Sequence, residues 1–416
     1  MSVSDESVSS TPAPTTPARA FRAGGRSRAH TPSLTAHRID AAAHAAHLAG
    51  HPDASFLQNP DWAVLKQAWG SRSVGFFHGD RLVGSALILT RRLPVPSRIP
   101  VTGRAHLAYV SGGPVLDAGV DLLEALDALT TLVRADGAFQ LRVGPPGTVR
   151  RWAADDVRKA LPRDEHAALL DLPPAHEDAE ALALQQRLRE AGWRTEDPGE
   201  EFADGQPVFQ ARIPLDPSSG PEEGLEAVLA RMSSSSRKRS RRSLRAGLTI
   251  DRHTGRPDAD TLAVWERLSD DTAARDGFAA RPTDYFRTLL EQFGAAEPVH
   301  TELLVARTEG EPAAAAFTIR QGQIAWRPYS ASSSRHRKID APRALQVTQI
   351  QDSLAAGCRV FDLGGVSGTL RQDHRLAGLT EFKTTQGADI VQTHGEWDLP
   401  LNRPLAAAFR LYMARR

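Results

Sequence analysis

The 416-residue chain holds one cysteine, Cys358, which excludes an intrachain disulfide framework and any cysteine-rich zinc site. No window approaches the roughly 18 uninterrupted apolar residues of a membrane helix. The N-terminus lacks the apolar segment of a secretory signal. Neither charge sign is in excess: 51 Lys+Arg stand against 50 Asp+Glu, a formal net charge of +1, so only local clustering can announce a polyanionic partner. A G-x-S-x-G elbow is missing, which argues against a serine-nucleophile hydrolase. These shortages predict a reduced, cytoplasmic protein. What remains is 41% hydrophobic, sufficient for globular packing, and the length suits two domains of roughly 150–200 residues.

Residues 1–35 stand apart, with Ser, Thr and Pro at 16 of the 35 positions. Such a segment cannot bury enough apolar surface to offset its ordering entropy, so a disordered tail is predicted, with order beginning near Ile39 and Asp40 capping an Ala-rich helix. The body repeats one pattern twice. Val74–Leu89 reads as two apolar strands around a His78-Gly79-Asp80 turn, followed by a helix over 122–133 and a strand over 139–143. Leu303–Ile319 reads as a second hairpin turning at Glu309-Gly310-Glu311, followed by a helix over 344–356 and a strand over 359–363. Hairpin, helix and strand in the same order argue for two similar α/β domains, 36–200 and 201–395, with 396–416 returning to pack on the first.

Residues 237–245 carry six basic residues in nine and no acid. On a helix Arg237, Arg241 and Arg245 share one face, with Lys238 and Arg242 in the adjacent row, which suits either a solvated face or a polyanion such as an RNA backbone. Phe382-Lys383 reads as an edge-strand pair or as a point charge beside an oxyanion or phosphate. Lys66 shares a helical face with Trp62, and Arg281 and Tyr285 lie four apart; both pairs suit a packed surface or a diphosphate clamp. Asp362-Leu-Gly-Gly365 follows a strand, where a sharp turn or an approach to an anion is equally served. His44, His47 and His51 fall at helical spacing, but no Cys or Glu completes a ligand set, so no metal site is expected.

A hairpin of the form G-D-x-x-V-G-x-A preceded by helices resembles the core of GNAT acyltransferases. Phe56–Lys66, Tyr109–Asp117, Arg275-Asp-Gly-Phe278 with Arg281 and Tyr285, Phe361–Gly365, Glu381-Phe-Lys383 and Gly395–Asp398 extend the likeness over residues 55–416. In order and spacing they resemble the Fem family (FemA, FemB and FemX types), tandem GNAT-like enzymes that move amino acids from aminoacyl-tRNA to peptidoglycan precursors. The resemblance implies an α/β fold of two GNAT-like domains in tandem, with mixed sheets flanked by helices. It implies catalytic roles for Lys383 and Phe382. Lys66, Arg281, Tyr285, Asp362, Trp326 and Tyr329 would bind the acceptor, a UDP-linked or lipid-linked muropeptide, the latter implying peripheral membrane contact. Arg237, Lys238, Arg241, Arg242 and Arg245 would bind tRNA. No cofactor is implied. CoA-dependent GNAT domains present a Q/R-x-x-G-x-G/A loop, whereas the nearest segment here, Arg134–Phe139, puts a bulky Phe139 at the small position.

The expected reaction is therefore amide formation between an aminoacyl ester and the amine of a stem peptide. Two other classes remain open on the residues: a tRNA-dependent amino-acid ligase of secondary metabolism acting on a small amine, and a non-catalytic RNA-binding protein on a GNAT scaffold.

Overall fold

The computed structural model describes residues 34–92, 105–161, 166–196, 205–294 and 299–413. Leu34–Arg416 forms one compact unit. The expected tail lies outside the described residues except for its last two positions, which the fold claims. Leu34 is buried and donates its N–H to Glu124, and β1 (Thr35–Ile39) begins at Thr35, so order starts earlier than the composition suggests.

Asp40 caps α1 (Ala41–Ala49) by accepting from the Ala43 N–H. Two short 3₁₀ turns over 56–58 and 60–65 replace the helix expected around Lys66, with Pro60 and the Asn59 side chain setting the second. The first hairpin follows as β2 (Gly70–His78) and β3 (Arg81–Arg92). Then come β4 (His106–Val110), β5 (Val115–Leu116), α2 (Leu122–Ala135) and β6 (Ala138–Val143). The next segment holds β7 (Thr148–Trp152), α3 (Ala154–Ala160), β8 (His176–Glu177) and α4 (Ala179–Glu190).

The second half runs β9 (Phe209–Pro214), α5 (Pro221–Arg231), α6 (Ser234–Leu244), β10 (Thr249–His253), α7 (Ala259–Asp276) and α8 (Thr283–Phe293). The second hairpin is β11 (Val299–Thr308) and β12 (Glu311–Gln321), turning through Glu309 and Gly310 at φ 50° and 81°. Both central residues are left-handed, as a tight turn between right-twisted strands requires. β13 (Ile324–Trp326), β14 (Ser330–Ser332), α9 (Ala341–Ala355), β15 (Val360–Val366), α10 (Ala377–Thr385), β16 (Asp389–Thr393), β17 (Trp397–Pro400) and α11 (Arg403–Met413) complete the chain.

Among the described residues there are two sheets. The first has the order β1-β2-β3-β4-β6-β17, with β5 on β3; the second has the order β10-β11-β12-β13-β15-β9-β16-β7-β8, with β14 on β12. Strand by strand the first is repeated by the leading part of the second. Each contains one parallel pair, β4 with β6 and β13 with β15, joined across by α2 and α9 respectively. Crossover helices are what parallel neighbours need.

The chain exchanges strands between its halves. Residues 148–177, expected in the first domain, supply β7 and β8 to the second sheet, where Trp152 is buried among Phe209, Phe361 and Ile390. The C-terminal segment supplies β17 to the first sheet beside β6, and Phe409 of α11 packs on Phe139. α4 belongs with the first core through Leu188. Sheet membership therefore does not follow a division at residue 200, because β7 is held by ladder bonds to β16, more than 200 residues later. That division itself falls among residues outside the described set.

Candidate active site

An irregularity within β15, between Asp362 and Gly365, sets the geometry around Lys383, so the glycine pair lies inside the strand and not after it. Asp362 is buried, and one carboxylate oxygen accepts the Gly364 N–H at 2.6 Å while the other accepts from Arg212 Nε at 2.9 Å. Gly364 takes φ +78°, which turns the backbone sharply enough for the Gly365 carbonyl to meet α10. That carbonyl accepts from Lys383 Nζ at 2.7 Å. Lys383 is on a helix, not on an edge strand, and is 9% exposed. Burial pulls its ammonium from 10.5 down to about 8, against the pull of Asp362, with Arg327 adding to the fall.

Arg327, which no sequence motif marks, sits just past β13; its N–H binds the Asp362 carbonyl and its Nε donates to Gln349 at 2.9 Å. Burial lowers this guanidinium to about 10. It also lines a cavity of about 810 Å³, together with Arg239, Arg275, Arg337, Arg343, Arg375 and the exposed ring of Phe382. Phe382 lies over the Arg343 guanidinium at 5.6 Å. Arg343 is otherwise buried, donating to Ser236 and Gln386.

The expected acceptor residues come together from three parts of the chain. Lys66 lies over the Trp62 ring at 4.9 Å, and Arg281 lies over Tyr285 and Tyr329 at 5.3 and 5.9 Å. The two tyrosine hydroxyls are 2.9 Å apart. Burial, then the Arg281 charge, push the Lys66 ammonium down. Trp326 packs edge-on against Phe56, and its strand position faces Asp362 in the parallel ladder. The aromatic cluster and the Lys383 turn are thus neighbours through β13 and β15. Arg281 precedes α8 rather than lying within it.

The basic segment forms α6, capped by Ser233. Ser236, Ser240 and Ser243 are buried, and Ser236 meets Arg343 and Gln386, so the small serines let the helix lie close while the long cations turn outward. Arg237, Lys238, Arg241, Arg242 and Arg245 line a groove of about 710 Å³ with Lys338. The sequence shows no acid in this run, but the fold brings acids to it. Arg241 pairs with Glu226 at 2.6 Å, while Arg239 binds both oxygens of Asp340 at 2.7 Å and Arg242 lies 3.6 Å from it. Arg237, Lys238 and Arg245 make no ion pair among the described residues. Cations on two sides of α6 therefore line two concave surfaces, one of which also holds Arg327 and Phe382.

The motifs Tyr109–Asp117 and Gly395–Asp398 meet elsewhere. Tyr109 donates to Glu396, and Arg142 forks onto Asp398 at 2.8 and 2.7 Å, tying β4, β6 and β17. Burial pushes the Glu396 carboxyl up, and the Tyr109 bond and the Arg142 charge oppose it.

The FemAB family model matches residues 39–309 and 300–413. The chain belongs to the FemAB family. Among its relatives, the lipid II:glycine glycyltransferase of Staphylococcus saprophyticus is 23% identical, over 87% of this chain and 92% of the relative. The protein of the same description from Staphylococcus aureus strain USA300 is 22% identical over the same shares. Of solved structures, FemX superposes with a TM-score of 0.72 at 19% identity, covering 90% of this chain and 99% of FemX. The FemAB chain shares with FemX an α/β fold, here two mixed sheets flanked by helices.

Proposed function

We propose that this FemAB protein is an aminoacyltransferase that moves an amino acid from an aminoacyl-tRNA to the amine of a peptidoglycan-precursor stem peptide, the reaction that builds interpeptide bridges. The observation that carries this reading is the cation-lined surface from α6 into the cavity bordered by Arg327 and Phe382, together with the Lys66–Arg281–Tyr285–Tyr329 cluster. A long polyanion suits the first, and a compact diphosphate suits the second. The glycyltransferase relatives named for lipid II support a lipid-linked acceptor, which brings the protein to a membrane surface from the cytoplasmic side. No helix among the described residues is long and apolar enough to cross a membrane.

In the reaction the acceptor nitrogen attacks the ester carbonyl carbon. The new C–N bond forms, the C–O bond to the tRNA ribose breaks, and one amine proton ends on the released ribose hydroxyl. The ester is already activated, so no protein nucleophile is required and positioning carries much of the work. Lys383, whose ammonium keeps donors beyond the one given to Gly365, stabilises the oxyanion or the terminal phosphate of the tRNA. Phe382 and Asp362 shape the approach. Arg281 with Tyr285, and Lys66 on Trp62, hold the acceptor diphosphate, with Trp326 and Tyr329 as its apolar wall.

The test is product mass. With a charged tRNA pool and a lipid-linked muropeptide, the acceptor is expected to gain one amino-acid residue, and ribonuclease treatment of the donor is expected to stop the gain. Transfer that survives ribonuclease, or that acetyl-CoA restores, refutes the reading.

A further inference from the structure

The end of α1 and the link between β5 and α2 bring His47, His51 and Asp117 together, one ligand atom from each lying within 4.8 Å of the others. Nε2 of His47 and Nε2 of His51 converge on the same oxygen, Asp117 Oδ1, at 3.2 and 3.3 Å. We propose that these three side chains form a binding site for a divalent transition-metal ion, zinc(II) by preference. Local spacing cannot reveal the third ligand, because Asp117 lies 66 residues beyond His51 and reaches it only through the fold.

The hydrogen bonds of His51 carry the argument. Its Nδ1 lies 2.8 Å from the His47 carbonyl oxygen, which can only accept, so Nδ1 holds the proton. In the neutral ring Nε2 then presents a lone pair, and that lone pair faces a carboxylate oxygen at 3.3 Å. Two lone pairs repel at that distance, and a cation between them reverses the sign. His47 is held at its other nitrogen too, with Nδ1 at 2.9 Å from Ser85 Oγ, a hydroxyl that either donates or accepts, and Nε2 turned to the carboxylate. Anchoring the second ring nitrogen is how metal-ligating imidazoles are held.

The spacing also fits. Metal–N and metal–O bonds of about 2.0–2.1 Å at a tetrahedral centre separate neighbouring ligand atoms by about 3.3–3.4 Å, against 3.2 and 3.3 Å here. A donor set of two imidazoles and a carboxylate suits zinc. The only other ionic contact of Asp117 among the described residues is to the exposed Arg81, 3.7 Å from Oδ2, which leaves Oδ1 to the centre of the group. The side chains of His51 and Asp117 are 24% and 31% exposed, so water completes the coordination.

The site is a clamp, separate from the transfer residues. Immediately after His51 the chain meets the second sheet: the Pro52 carbonyl accepts from the Gln323 N–H at 2.8 Å, and the Ala54 carbonyl accepts from Gln321 Nε2 at 3.1 Å. A metal ion joining residues 47, 51 and 117 would fix the start of that segment to the first sheet.

Tag-free protein stripped with a chelator is titrated with Zn²⁺ by calorimetry and with Co²⁺ by visible absorption. One equivalent is expected to bind, cobalt is expected to give the intense bands of tetrahedral coordination, and zinc is expected to raise Tm. His51→Gln and Asp117→Asn are expected to lose this binding, and Ser85→Ala to weaken it about 10–100-fold. Circular dichroism identifies a variant that fails to fold, and the wild-type stoichiometry and cobalt spectrum stand independently of the variants. No saturable binding to the wild type, or undiminished binding in folded His51→Gln or Asp117→Asn, overturns the proposal and leaves the trio as a hydrogen-bonded polar cluster.

Discussion

Replacing Lys383 with Met is expected to stop transfer and yet to leave the fold at least as stable at neutral pH. The lysine is 9% exposed, and burial holds its ammonium at about 8 against 10.5 when solvated. At about 1.4 kcal/mol per pH unit, that difference makes the charged lysine about 3 kcal/mol unfavourable to folding below pH 8. Methionine matches the length and removes the charge. It also strands the Gly365 carbonyl that Lys383 now satisfies, which costs about 1–3 kcal/mol. The net change at about pH 7 therefore lies between about 0 and 2 kcal/mol in favour of the variant.

The pH dependence fixes the sign. Above 10.5 the side chain is neutral in both the folded and unfolded protein and carries no penalty; as pH falls through about 8 the folded state must accept the proton and the penalty is complete. Wild type should therefore gain stability relative to Lys383→Met as pH rises from about 8 toward 10.5, read by urea denaturation at several pH values. Transfer by the variant should fall about 100-fold or more. A variant that is less stable than wild type by the same margin at every pH refutes the electrostatic reasoning. One that transfers at the wild-type rate removes Lys383 from the chemistry.

Other perturbations separate the remaining parts. Gln at Arg237, Lys238 and Arg245 should weaken tRNA binding alike for different tRNA species and flatten the dependence of log affinity on log salt by about 0.7–0.9 for each phosphate no longer neutralised; Arg241→Gln, whose partner is Glu226, should do less. Equilibrium binding across a salt series checks both. Arg281→Ala removes a cation stacked on two tyrosines and should raise the acceptor KM about tenfold with tRNA affinity unchanged, as steady-state kinetics will read. Gly322→Ala would place a methyl 2.2 Å from the Pro52 carbonyl at φ +52°, and should lower Tm by several degrees by prising apart the two sheets at that point.

Both hairpins are legible in the sequence because their turns carry Gly79 and Gly310 between near-continuous apolar runs, and α2 and β6 follow from periodicity and Gly137. These are local signals. Strand exchange is not local: nothing in Thr148–Trp152 says that it pairs with residues 389–393. The same limit governs the site. Lys383, Lys66 and Arg281 stand out only through motif resemblance. Arg327 and Arg343 escape sequence reasoning because an arginine before a proline or in a helix start looks like any surface cation, and only the fold buries them. Asp340, at φ 57°, shows a signal that sequence can hint at, since Asp tolerates the left-handed region, yet its role as the anchor of Arg239 needs three dimensions. Trp62 and Trp69 frame Lys66 with a helix-like spacing, but Pro60 and Asn59 favour the tighter turn that the chain adopts.

The central claim is direct transfer from ester to amine, and single-turnover chemistry tests it most directly. Aminoacyl-tRNA labelled in its amino acid is mixed with excess enzyme and a lipid-linked muropeptide, and label is followed on tRNA, protein and acceptor. The expected result is that label leaves the tRNA ester and enters the stem-peptide amide at one rate, with none covalently bound to the protein. Label accumulating on the protein before it reaches the acceptor, or an acceptor that remains unlabelled while the ester is consumed, would contradict the account.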